Sequence, residues 1–145
     1  MKKLVALVLL VAALLGVAVT ARATVKIEYV AQYEEVRGVA WDNRQNAPTI
    51  QAGVAYKTSI AWKEKSYFKF CPEKTGIYTI SLTEEWNPTG GGSGRFFDSN
   101  GEQVGDACSL GTSAKVALNA NRVYYFRAKE WSGSYGAEFI FAICF

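Results

Sequence analysis

Gly76-Ile77-Tyr78-Thr79-Ile80-Ser81-Leu82 decides the fold. Tyr78, Ile80 and Leu82 share one parity and Ile77, Thr79 and Ser81 the other, and successive side chains of a strand point to opposite faces. The run is rich in β-branched and aromatic types, which suit a half-buried pleated surface. Working outward, Ser66-Tyr67-Phe68-Lys69-Phe70 alternates in the same way, and Cys71 to Thr75 breaks it from the next strand at Pro72. Downstream lie Lys115–Leu118, Val123–Ala128 and Phe139–Ile143, with Arg95–Phe97 and Glu102–Cys108 flanking Asn100-Gly101, a strong hairpin signal. Upstream, Val25 to Tyr29 alternates as well, and no helical stripe follows Thr24.

Six to nine short strands at this spacing predict an all-β antiparallel sandwich. The chain has 145 residues, room for one domain. Met1-Lys2-Lys3, the apolar run Leu4–Val19 and the Ala21-Arg22-Ala23 site form the three parts of an export signal, so residues 1–23 are read as a signal peptide. Residues 24–145 are then a single domain, secreted or placed in the periplasm or at the cell surface, with no membrane contact after cleavage. Gly90 to Gly94 is read as a loop. The formal charge of +3 belongs to the signal: without Lys2, Lys3 and Arg22, 13 basic residues face 13 acidic ones. A neutral body gives no bulk attraction for nucleic acid. Lys63-Glu64-Lys65 and Lys129-Glu130 read as a solvated face of mixed sign.

The order of these runs resembles the bacterial pre-peptidase C-terminal domain. Ser66–Phe70 is similar to that family's Tyr-Phe strand and Thr75–Leu82 to its Gly-x-Tyr strand. Phe96–Gly101 is similar to its aspartate-containing hairpin, Asn121–Arg127 to its Tyr-Tyr strand, and Gly136–Ile143 to its closing strand. The resemblance spans about Pro48 to Ile143 and implies a jelly-roll-like sandwich acting as a non-catalytic extracellular module. Ser66 stands where the family has an acid, Gly94-Arg95 replaces its acidic repeat, and no peptidase precedes the region.

The chain has no histidine, which removes Ser-His-Asp and Cys-His catalysis and His-ligated zinc. Glu84 and Glu85 are adjacent on a strand and face opposite ways, and Asp98, Glu102 and Asp106 surround a convex hairpin tip. Neither arrangement places two carboxylates across a cleft, so no enzyme is expected. Asp98, Asn100 and Asp106 are the candidate ligands for calcium, the one cofactor considered. The competing account of Asp98 and Asn100 is an Asx turn with Gly101 at positive φ.

Phe68, Phe70, Tyr78, Phe126, Phe139 and Phe141 are assigned to the core. Trp86, Trp131 and Tyr135 fall at predicted loops and are the candidate ligand-binding residues, since sugar rings stack on exposed indoles. The reading is a secreted binding module contacting extracellular polysaccharide or protein. The alternatives are a small secreted inhibitor or effector acting on a protein target, or a structural cell-surface subunit.

Cys71, Cys108 and Cys144 are an odd number for an exported chain. Counting strand directions puts Cys71 and Cys144 at one end of the sandwich and Cys108 at the other. A disulfide needs Cα atoms within about 7 Å, so Cys71–Cys144 is the expected bridge and Cys108 the free thiol.

Overall fold

A computed structural model describes residues 32–86, 91–130 and 136–145, with positions 84–86 described by their backbone. The signal peptide, the Val25–Tyr29 strand, Trp131 and Tyr135 lie outside the described residues.

Ten strands occur among the described residues: β1 (Glu34–Glu35), β2 (Thr49–Ile50), β3 (Ala55–Ile60), β4 (Lys65–Phe70), β5 (Gly76–Trp86), β6 (Gly92–Asp98), β7 (Gln103–Ser109), β8 (Thr112–Leu118), β9 (Tyr124–Glu130) and β10 (Ala137–Cys144). The first sheet has the order β1-β3-β10-β5-β8 and the second β2-β4-β9-β6-β7. Pairing is nested: β3 meets β10, β4 meets β9, β5 meets β8 and β6 meets β7. A long hairpin rolled up in this way is a jelly roll, and it divides the eight main strands between two facing sheets.

The core is the single-parity set of each strand. Ile80 and Leu82 of β5, Phe68 of β4, Phe96 of β6, Phe126 of β9 and Phe139 of β10 are all fully buried. Phe126 and Phe141 sit 4.8 Å apart, and Phe68 and Phe141 5.0 Å apart, bringing the two sheets together. A Cβ on Gly94 would come within 2.6 Å of the Phe126 ring, so only glycine lets β6 pass. At the hairpin tip, Gly101 takes φ +85, as the Asn-Gly signal requires.

β5 is longer than its decisive heptad and reaches Trp86, whose backbone pairs with Glu138. Trp86 therefore closes a strand rather than opening a loop. Before β2, Trp41–Asn46 forms a 3₁₀ turn that lies across the outside of the second sheet.

The strand directions deduced from the turns hold. Cys71 follows β4 and Cys144 ends β10 at one end of the sandwich, here called the near end. Cys108 is paired with Gly94 toward the far end. The bridge is not formed, and all three cysteines are free thiols. Cys71 follows a strand of the second sheet and Cys144 ends one of the first. The C-terminus is held instead by Phe145, which packs edge-on against Tyr78 at 5.0 Å and closes over Gly76. Cys108 is buried, and its thiol donates to the Thr112 carbonyl at 3.0 Å.

Candidate functional site

Strand direction gathers several strand ends of interest at the far end. β3 ends there at Ile60 opposite Ala137, β4 begins with Lys65 opposite Lys129, and β5 ends with Trp86 opposite Glu138. The fold thus brings together the described strand ends that stand next in sequence to the candidates Trp86 and Trp131, whose side chains lie outside the described residues.

Between them lies the turn from Ala61 to Glu64. Lys63 has φ +58, and its backbone N–H donates to a carboxylate oxygen of Glu130 at 3.1 Å. Glu130 is fully buried, so this bond fastens the turn to the end of β9. Gly136 packs against the Ile60 carbonyl, where a Cβ would approach to 2.6 Å. Held in this way, Trp62 stands 50% exposed with the Lys63 ammonium 4.4 Å from its ring. Trp62 was missed in the sequence because it lies within Ala61-Trp62-Lys63-Glu64-Lys65. The available signal was an indole isolated among charges just before a strand.

Beside this turn a groove of about 1720 Å³ runs between the free edges of the two sheets. One wall is β1, β3 and the start of β10, with Lys57, Ser59 and Glu138. The other is the start of β4, with Lys65, Ser66 and Tyr67. Segment 36–41 crosses it from the first sheet to the second. The edges are only partly covered: β1 pairs with Tyr56 and Lys57 of β3, and β2 with Lys69 and Phe70 of β4. Lys57 and Glu138 form an ion pair at 3.3 Å within the groove.

Nearby, the Tyr56 hydroxyl accepts the Gln51 N–H at 2.9 Å. Burial raises this phenol above its ordinary value, against the pull of the Gln51 bond, and the charge of Glu34 adds to the rise. It remains a neutral hydroxyl at neutral pH and offers no base for catalysis.

A second feature occupies the outer face of the second sheet. Tyr67, Phe97 and Tyr125 point away from the core there, and Trp41 lies over them at ring distances of 5.1, 6.2 and 5.5 Å. The Arg44 guanidinium stacks on the indole at 4.2 Å.

The calcium candidates do not converge. One carboxylate oxygen of Asp98 accepts the N–H groups of Asn100 at 2.8 Å and Glu102 at 2.9 Å, which is the Asx turn. Asp106 lies farther along β7, on its bulge. No group of three or more His, Cys, Asp or Glu side chains suited to a metal occurs among the described residues.

No family model matches the chain, and no curated protein matches it. Among solved structures, it is similar to PliG of Aeromonas hydrophila, described as a periplasmic lysozyme inhibitor of g-type lysozyme. The TM-score is 0.46 and the identity 11%, covering 77% of this chain and 96% of that one. It is similar to PliG of Salmonella Typhimurium at TM-score 0.42 and 13% identity, covering 77% of this chain and 96% of that one. A mutant of the Escherichia coli protein gives TM-score 0.39 and 13% identity, covering 76% and 98%.

Proposed function

We propose that this chain is an exported, non-catalytic module that binds a protein partner through its far end, the inhibitor or effector reading rather than the glycan-binding one. The observation that carries this is the groove between the sheet edges, beside which Trp62 stands half-exposed, in sequence between the wall residues Ala61 and Lys63. Clefts for small ligands run to about 300–1,000 Å³, and this groove is larger, at about 1720 Å³. Its walls carry Arg37, Lys57, Lys63, Glu35, Glu64 and Glu138 in mixed sign, together with partly free strand edges. A protein loop can answer such walls with side chains and backbone at once, and an exposed tryptophan is a common anchor of protein interfaces. The export signal expected over residues 1–23 supports a partner outside the cytoplasm.

A photo-crosslinking amino acid in place of Trp62 tests the reading in the exported chain. The expected result is one discrete protein adduct, absent when the crosslinker replaces Ile77, which is exposed at the opposite end. A g-type lysozyme, the target named for the three structures above, is a convenient first reagent in a lysis assay, and a glycan array is the counter-test. Array binding that survives Trp62→Ala, with no protein adduct at position 62, overturns the proposal.

A further inference from the structure

We propose that the outer face of the second sheet, beyond the aromatic strap, is a docking surface for an extended acidic segment of a protein partner. Strand alternation makes this face cationic although the chain beyond its export signal is neutral. In β9, Lys129 lies on the outer face while the next residue, Glu130, is turned into the core and fully buried. The sequence neighbours that looked like a balanced pair are therefore on opposite sides of the sheet. The register then lines up like charges: Lys65 is directly opposite Lys129, and Arg95 directly opposite Arg127. Partners so placed are about 4.5–5.5 Å apart at Cβ, and like charges there are destabilising.

Among the described residues no acid neutralises the four, and none of them is ion-paired. The Nε groups of Arg95 and Arg127 are buried without an acceptor. Arg95 donates to the neutral amide of Gln103, and the Arg127 guanidinium rests on the Phe97 ring at 4.8 Å. Asp106, on the bulge of β7 beside this face, forms no ion pair with Arg95.

The spacing suits a polypeptide. Arg127 and Lys129 are two residues apart on one strand, about 7 Å, and alternate side chains of an extended acidic peptide repeat at the same interval. Arginine also takes a carboxylate in bidentate geometry. Lys65 belongs both to this face and to the groove wall, so the two surfaces are continuous. The choice of a protein occupant rests on the reading of the groove; the demand for negative charge does not.

The test uses the mature chain and a fluorescein-labelled hexaglutamate peptide, read by anisotropy at low salt. Binding is expected, weakening as salt rises. Arg95→Gln with Arg127→Gln should weaken it by about tenfold or more. Lys65→Gln with Lys129→Gln, at the strand ends, should weaken it in a chain with an unchanged thermal midpoint. Lys115→Gln, on the outside of the first sheet, and Trp62→Ala should leave it unchanged. An equal loss from Lys115→Gln would reduce the effect to overall charge and overturn the proposal. So would loss in Trp62→Ala, which moves the contact into the groove, or binding to dextran sulfate with none to hexaglutamate.

Discussion

The two outer faces of this sandwich are built from the same kind of strand and carry different surfaces. Outside the first sheet, Ser81 pairs with Ser113, Thr79 with Lys115, and Ile140 with Thr83. The charges at its edge, Lys57 and Glu138, are joined to each other. Outside the second sheet, three aromatic rings lie under Trp41 of the 3₁₀ turn, and four cations stand beyond them with no ion-paired acid among the described residues. A face of small hydroxyl residues needs no cover. A face of Tyr67, Phe97 and Tyr125 exposes apolar area worth about 25 cal/mol per Å² when removed from water, and Trp41 supplies the cover.

The strongest way to break this contrast is Trp41→Ala. It removes the indole from three ring contacts and from the Arg44 stack, and also frees the space beside Gly101. Trp truncation in a full core costs about 3–5 kcal/mol, and Trp41 is only half-buried, so urea unfolding should show a loss of about 2–3 kcal/mol. Ile77→Ala, an exposed apolar residue outside the first sheet, should stay within about 0.5 kcal/mol. Equal small effects would mean that the turn rests on the second sheet without stabilising it.

The same contrast shows what a sequence can disclose. β5, β9 and the Asp98–Gly101 hairpin were legible because their signals are local: alternation, β-branched residues and Asn-Gly. β3 was not, because Thr58 takes a buried position that alternation reserves for apolar residues, and its hydroxyl is buried without a partner. The Trp41 strap was not, because its contacts at positions 67, 97 and 125 lie far along the chain. The cationic face was hidden by summing charge along the sequence. Assigning Lys129 and Glu130 to opposite faces of their strand would have exposed it. At the site, the grouping of strand ends at the far end follows from strand direction, but Trp62 needed the Glu130 bond to become visible.

A smaller effect sharpens the comparison from the charge side. Lys129→Glu replaces a like-charge partner of Lys65 with an opposite one. Stability should rise by about 0.2–1 kcal/mol, and the gain should shrink as salt screens the pair. Lys115→Glu, outside the first sheet, should move stability by less, because its cross-strand partner is Thr79. Thermal unfolding of both variants at low and high salt measures this. A loss in Lys129→Glu would mean that the second face does not carry the repulsion its register implies.

The smallest effect belongs to the neutral face itself. Lys57 and Glu138 lie 3.3 Å apart, and their side chains are 16% and 39% exposed. Water reaches the carboxylate, so the Coulomb attraction is screened, and ordering two long side chains costs entropy. Lys57 is also placed 5.3 Å from the Tyr33 ring, a contact that survives when Glu138 is changed. A double-mutant cycle of Lys57→Ala and Glu138→Ala should therefore give a coupling of about 0.2–1 kcal/mol, falling at high salt. A coupling above about 2 kcal/mol that ignores salt would show a desolvated pair. The groove edge would then be a closed structural seam, and a partner would have to break it to enter.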